Sequence, residues 1–120
     1  MPIKKFIFSL IKDDQEIHKE MYENQSESEN TIVFDCLGYK TTLDLETKTF
    51  RRENEEYEFF LALTTKSCTL HLKKENLDFD IQVDYCDCTI INNKIILEYS
   101  IETEDAKNKL VWIRKDENNE

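Results

Sequence analysis

Four cysteines, two histidines and 26 acidic residues are the groups in this 120-residue chain able to do chemistry. The tightest arrangement is Cys86-Asp87-Cys88. In an extended strand residues two apart project from one face, so these thiols would lie side by side. Cys36, Cys68, His18 and His71 would be the further donors of a tetrahedral zinc site. Structural zinc sites usually carry two C-x₂₋₄-C pairs, and one C-x-C with two isolated cysteines is half of that pattern. The competing reading is four reduced thiols acting as small buried hydrophobes, the usual fate of free cysteine in a reducing compartment. Two thiols so close along one strand do not bridge without strain. A metal or redox role on Cys86 and Cys88 is therefore the alternative, and the expectation is a protein with no cofactor.

The remaining polar residues give no catalytic signature. His71 stands between Leu70 and Leu72 on what reads as an outer strand face, and His18 lies in a polar segment. No G-x-S-x-G, H-E-x-x-H or glycine-rich phosphate loop occurs, and a chain whose only glycine is Gly38 has no material for one. With carboxylates this abundant, adjacency of two is no sign of glycosidase geometry. The expectation is a protein that is not an enzyme. The strongest polar feature is the row Asp78, Asp80 and Asp84, with Glu98 and Glu102 on a neighbouring strand. It would either keep a solvated face soluble or receive a basic protein partner. Calcium needs looped backbone carbonyls that a flat strand face lacks. Lys48, Arg51 and Arg52 form a smaller basic cluster.

These residues must be held by strands. Leu77, Phe79, Ile81, Val83 and Tyr85 alternate with Asp78, Asp80, Gln82 and Asp84, which is period two and fits no helix. Ile95, Leu97, Tyr99 and Ile101 alternate with polar residues in the same way, and Asn92-Asn93 ahead of them suits a hairpin turn because Asn tolerates positive φ. Cys68, Leu70 and Leu72 run into the break Lys74-Glu75-Asn76, which predicts a second hairpin. Phe6, Phe8 and Leu10 open a first strand that Asp13-Asp14 ends, and residues 16–23 read as strand ahead of helix. Further strands are expected over 31–37, 39–45, 48–52 and 57–63. With one Gly and one Pro, the turns fall to Asn, Asp, Glu and Lys. The pattern predicts an all-β antiparallel meander, and closing it into a barrel of about 8–10 strands would remove exposed edges.

Seven Phe, five Tyr and one Trp supply one hydrophobic core for a single domain over residues 1–115, with a polar tail over 116–120 expected to be disordered. The formal charge of −10 and a pI near 4.7 argue against nucleic acid and acidic membranes. No apolar run nears the roughly 20 residues that span a bilayer. The opening Met-Pro-Ile-Lys-Lys-Phe has no signal-peptide pattern, so the expected location is the cytoplasm, as monomer or homodimer.

Gly38-Tyr39-Lys40-Thr41-Thr42-Leu43-Asp44-Leu45, with Lys48 and Thr49-Phe50-Arg51-Arg52 after it, resembles the middle of the YwiB-like family of uncharacterised small bacterial proteins. Ile95 to Ile101 and Asn108-Lys109-Leu110-Val111-Trp112-Ile113 resemble that family's closing hairpin. The likeness runs from about Ile3 to Lys115. Thr64-Thr65-Lys66-Ser67 departs from it, lacking the family's Pro and Gly step. The resemblance implies a calycin-like, lipocalin-related β-barrel. By fold analogy such a barrel would bind a small apolar ligand inside, lined by Tyr85, Tyr99, Phe79 and Trp112. The alternative is a filled barrel with a protein-interaction role for Asp78, Asp80 and Asp84.

Overall fold

The computed structural model describes residues 3–115; the tail 116–120 lies outside the described residues. Eleven strands follow one another: β1 (Lys5–Lys12), β2 (Gln15–Glu23), β3 (Thr31–Cys36), β4 (Tyr39–Asp44), β5 (Thr49–Glu53), β6 (Tyr57–Ala62), β7 (Ser67–Leu72), β8 (Leu77–Ile81), β9 (Val83–Ile91), β10 (Lys94–Ile101) and β11 (Asn108–Lys115). They form a five-stranded sheet, β2-β1-β11-β10-β9, and a six-stranded sheet, β3-β4-β5-β6-β7-β8. All pairings are antiparallel. No helix of the structure is long and apolar enough to cross a membrane.

The expected all-β meander is what forms, but among the described residues neither sheet closes on itself. The order is nonetheless cyclic. Each strand neighbours its sequence successor except at two places, β2 to β3 and β8 to β9, where the chain crosses between sheets, and β11 returns to β1. One core lies between the sheets, with Phe6, Phe8, Leu10, Leu97, Leu110 and Trp112 from one side and Ile32, Phe34, Leu43, Phe50 and Leu61 from the other.

The turns are made as a glycine-poor chain must make them. Asp13, Asp14, Leu37, Lys48, Lys66, Asn76 and Asn92 all have positive φ. For Asp and Asn this conformation costs little; for Leu37, at φ 54°, the Cβ clash is uncompensated. Asn92 provides the turn between β9 and β10 that the Asn pair predicts, and β7–β8 is the second predicted hairpin.

Both crossings are tied by side chains. At the first, the Asn24 amide donates from Nδ2 to the carbonyls of Ile3 (2.7 Å) and Thr31 (2.9 Å), and its Oδ1 accepts from Val33 N (2.8 Å) and Ser26 N (3.0 Å). Asn24 N donates to Lys4 O at 2.8 Å. At the second, Gln82 N donates to Glu102 Oε1 (3.1 Å) and Glu102 N to Gln82 O (3.0 Å).

The run from Leu77 to Tyr85, read from sequence as one strand with one apolar face, is divided at Gln82. Beyond it the pairing of β9 with β10 slips, with Val83 opposite Ile101 and Tyr85 opposite Ser100, so that Asp84 is a bulge residue. A one-residue slip reverses the faces. Val83 packs on the core, whereas Tyr85 turns outward and Cys86 inward.

Two stability outcomes are expected. Asn24→Ala removes the side-chain partner of four backbone groups at the first crossing and should cost about 2–3 kcal/mol in urea unfolding; Asn24→Asp, which sets a carboxylate against two carbonyls, should cost at least as much. Leu37→Asn should stabilise by about 0.5–1 kcal/mol by relieving the left-handed strain, and an unchanged or lower melting temperature would contradict it.

Candidate functional site

Of the four residues expected to line the interior, Trp112 and Tyr99 do so. The other two need correction. Tyr85 is 52% exposed on the outer face, because of the Asp84 bulge. Phe79 keeps the inner phase, opposite Leu70 on edge strand β8, yet is 47% exposed.

The interior is filled by rings rather than hollow. Phe8 meets Phe34 at 5.0 Å and Trp112 at 5.2 Å between centroids, and Phe50 lies 6.2 Å from Trp112 and 6.3 Å from Tyr99. Phe59 reaches Tyr99 at 5.9 Å. A surface cleft of about 450 Å³ lies along β10 and β11, lined by Tyr85, Glu98, Tyr99, Ser100, Asn108 and Lys109 among others, and smaller openings reach the core at the two ends. A cleft of about 180 Å³ at one end is lined by Phe6, Ile32, Ile90, Ile95 and Trp112 among others, below the 300–1,000 Å³ common for ligand sites. At the other end the space is about 30 Å³.

That smaller mouth carries an unexpected concentration of polar groups. Phe50 is buried, so strand alternation puts Arg52 on the inner face with it, opposite Thr41 and Phe59. The guanidinium Cζ lies 4.4 Å from the centre of the Tyr39 ring, and the Tyr39 hydroxyl is hydrogen-bonded to that of Tyr57. Across the mouth, Glu104 accepts from Lys12 Nζ (3.4 Å) and Asn108 Nδ2 (3.0 Å). Thr41 Oγ1 is buried with no hydrogen-bond partner, and Tyr99 lines the same space. Burial drives the Tyr99 hydroxyl well above its ordinary value. Counting Arg52 with Lys48 and Arg51 as one surface cluster misses this; the parity with Phe50 was the signal.

The cysteines point inward. Cys86 and Cys88 share a face, as expected, but among the described residues no three His, Cys, Asp or Glu side chains converge as a metal site would require. All four thiols are free. Burial raises each of them, Cys68 to about 11. A nucleophilic cysteine needs the opposite shift. Cys36 accepts a hydrogen bond from the Tyr22 hydroxyl (3.3 Å), which in turn meets His18 Nε2 at 2.7 Å. This chain ties β2 to β3 and reinforces the Asn24 seam.

The acidic row is split between the sheets. Asp78 binds His71 Nδ1 at 2.6 Å and Asp80 stands opposite Thr69, both on edge strand β8, whereas Asp84 belongs to β9 and accepts from Gln82 Nε2 at 3.3 Å. Glu98 and Glu102 accompany only Asp84.

The two outer faces differ sharply. On the six-stranded sheet, Arg51 lies over Phe60 (5.5 Å) and bonds Glu58 (3.0 Å) in a polar surround. On the five-stranded sheet one row runs Met21-Ile7-Ile113-Lys94-Ile91 and the next Lys19-Ser9-Val111-Ile96-Thr89. Val111 has the outward phase at the centre, beside Ser9 and Ile96, and is 8% exposed. Met21, Ile17 and Ile91, toward the ends of the face, are each about half exposed, as is Tyr85 beyond the Glu98–Asp87 row. The third row, Glu16-Ile11-Lys109-Glu98-Asp87, brings carboxylates to the edge of this apolar area.

Compared with known proteins, the chain matches no family model, no curated protein and no solved structure.

The thiols give a pH outcome. A group whose pKa is raised by folding stabilises fully below its unfolded value and loses that contribution as pH climbs through the folded one. Urea stability should therefore decline from about pH 8.5 towards 11, less steeply in Cys68→Ala. At pH 7.5 a thiol reagent should label the native protein on the order of 100-fold more slowly than the unfolded chain; fast labelling of any one thiol would contradict the burial argument.

Proposed function

We propose that this chain is a non-enzymatic, cytoplasmic protein-interaction module that docks a basic partner on the outer face of its five-stranded sheet. The observation that carries this reading is the apolar area centred on Val111, with Ile7, Ile96 and Ile113 around it and Met21 and Ile91 at its ends. A contiguous apolar patch with a polar rim marks an interaction surface. The ring-filled interior supports the same reading, since the end openings that reach it, about 180 and 30 Å³, are small for a ligand chamber.

The partner's charge follows from the whole molecule: the rows of this face mix Glu16, Asp87 and Glu98 with Lys19, Lys94 and Lys109, while the chain as a whole carries −10. Two copies of so acidic a chain repel each other, whereas a basic surface is steered in. The fitting partner therefore presents aliphatic side chains flanked by Lys or Arg. The fold beneath this face we read as a flattened, calycin-like barrel whose ring opens at the two crossings; the cyclic strand order and the β1–β11 pairing support it.

Titration with a peptide of alternating Leu and Lys, followed by amide NMR, tests the docking face. Shifts should fall on β1, β10 and β11 and weaken with salt, and affinity should drop at least tenfold in the variant Met21→Lys/Ile91→Lys. Both positions are half exposed, so that variant should lose less than about 1 kcal/mol of stability. Shifts confined to the six-stranded sheet, or equal binding by the variant, would overturn the proposal.

A further inference from the structure

Among the described residues in the strands of the six-stranded sheet, Arg52 is the one basic side chain with inward phase, and it is a poor choice for packing alone. Its register partners are Thr41 and Phe59. Among the described residues it makes no ion pair with a carboxylate; its guanidinium rests on the Tyr39 ring. Beside it Thr41 Oγ1, on a residue 2% exposed, has no hydrogen-bond partner. A buried hydroxyl left unpaired costs stability that a valine would not. Lys12 and Arg52 face a single acid at this mouth, Glu104, whose oxygens already accept from Lys12 and Asn108. One positive charge is left over at the rim of a strongly acidic protein.

The geometry points to a binding site for the carboxylate group of a small organic acid at this mouth, held by the Arg52 fork with Thr41 Oγ1 and the Tyr99 hydroxyl as further contacts. The size of the space selects the group. About 30 Å³ between the sheets is roughly the share of one water molecule, enough for a planar head to enter edge-on while the body of the acid stays outside. A tetrahedral oxyanion needs more room. The guanidinium matches a carboxylate with two parallel N–H bonds, a pairing that a lysine does not reproduce. Leu37, half exposed and held at positive φ on the lip, offers the apolar surface on which the body of the acid would rest. The site lies between the sheets and is independent of the docking face.

Acetate titrated at constant ionic strength, with the Arg52 side-chain N–H and the Thr41 and Tyr99 amides observed by NMR, tests the assignment. Saturable shifts are expected with half-saturation on the order of millimolar, as suits so small a ligand. Arg52→Gln should weaken binding at least tenfold and Arg52→Lys by less. Thr41→Val should also weaken it while the ligand-free protein melts at the same or a higher temperature. That variant keeps the test open if Arg52→Gln does not fold. Linear, non-saturating shifts, or acetate affinity unchanged in the folded variants, would overturn the site. Inorganic phosphate binding more tightly than acetate through Arg52 would overturn the carboxylate assignment.

Discussion

Two open sheets have four edges, and a sandwich of this kind holds only if the chain joins those edges where it passes from one sheet to the other. Asn24 does most of that at the first crossing. One amide side chain serves two carbonyls and two backbone N–H groups drawn from the approach to β1, the crossing loop and β3, and the Tyr22–Cys36 hydrogen bond adds a second tie a few residues away. An amide is the only neutral side chain able to both donate and accept in this way. The second crossing takes a single residue, Gln82, clasped by Glu102. Ring packing between the sheets depends on these ties, because Phe8 and Trp112 on one side meet Phe34 and Phe50 on the other only while the edges stay in register.

Much of this was legible from period-two alternation. The inward set Ile95, Leu97, Tyr99 and Ile101, the Asn92 turn and the β7–β8 hairpin follow directly from the residues. What was not legible is long-range. No local signal in Leu77 to Tyr85 says that the strand changes sheets at Gln82, because alternation continues unbroken through it while the Asp84 bulge resets the phase. Alternation alone therefore places Tyr85 in the interior, whereas it lies outside. Phe79 shows a different limit: its phase is right, but exposure depends on how far the opposite sheet extends, which alternation does not encode.

Arg52 fails for the converse reason. Charge suggested a surface, whereas parity with Phe50 required the interior, and parity prevailed because the mouth is wet enough to admit a guanidinium stacked on Tyr39. Hydrophobicity decides which face of a strand is buried on average; the end rows of a sandwich escape that rule, being inner in phase and near solvent in position. Polar groups with inward phase therefore gather where the interior meets water.

The distribution of apolar surface separates the two functional ideas. A barrel that stores an apolar ligand keeps its apolar surplus inside, around a space; here the inside is occupied by the chain's own rings and the surplus is outside, around Val111. Isoleucine and methionine in solvent-facing rows are a standing cost in a protein otherwise so rich in charge, and the six-stranded sheet shows that the same chain can build an outer face without them, using Arg51, Glu58, His71 and Asp78. The five-stranded face therefore departs from what folding alone asks of it. The proposed partner surface, covering those rows, would account for the asymmetry that packing does not.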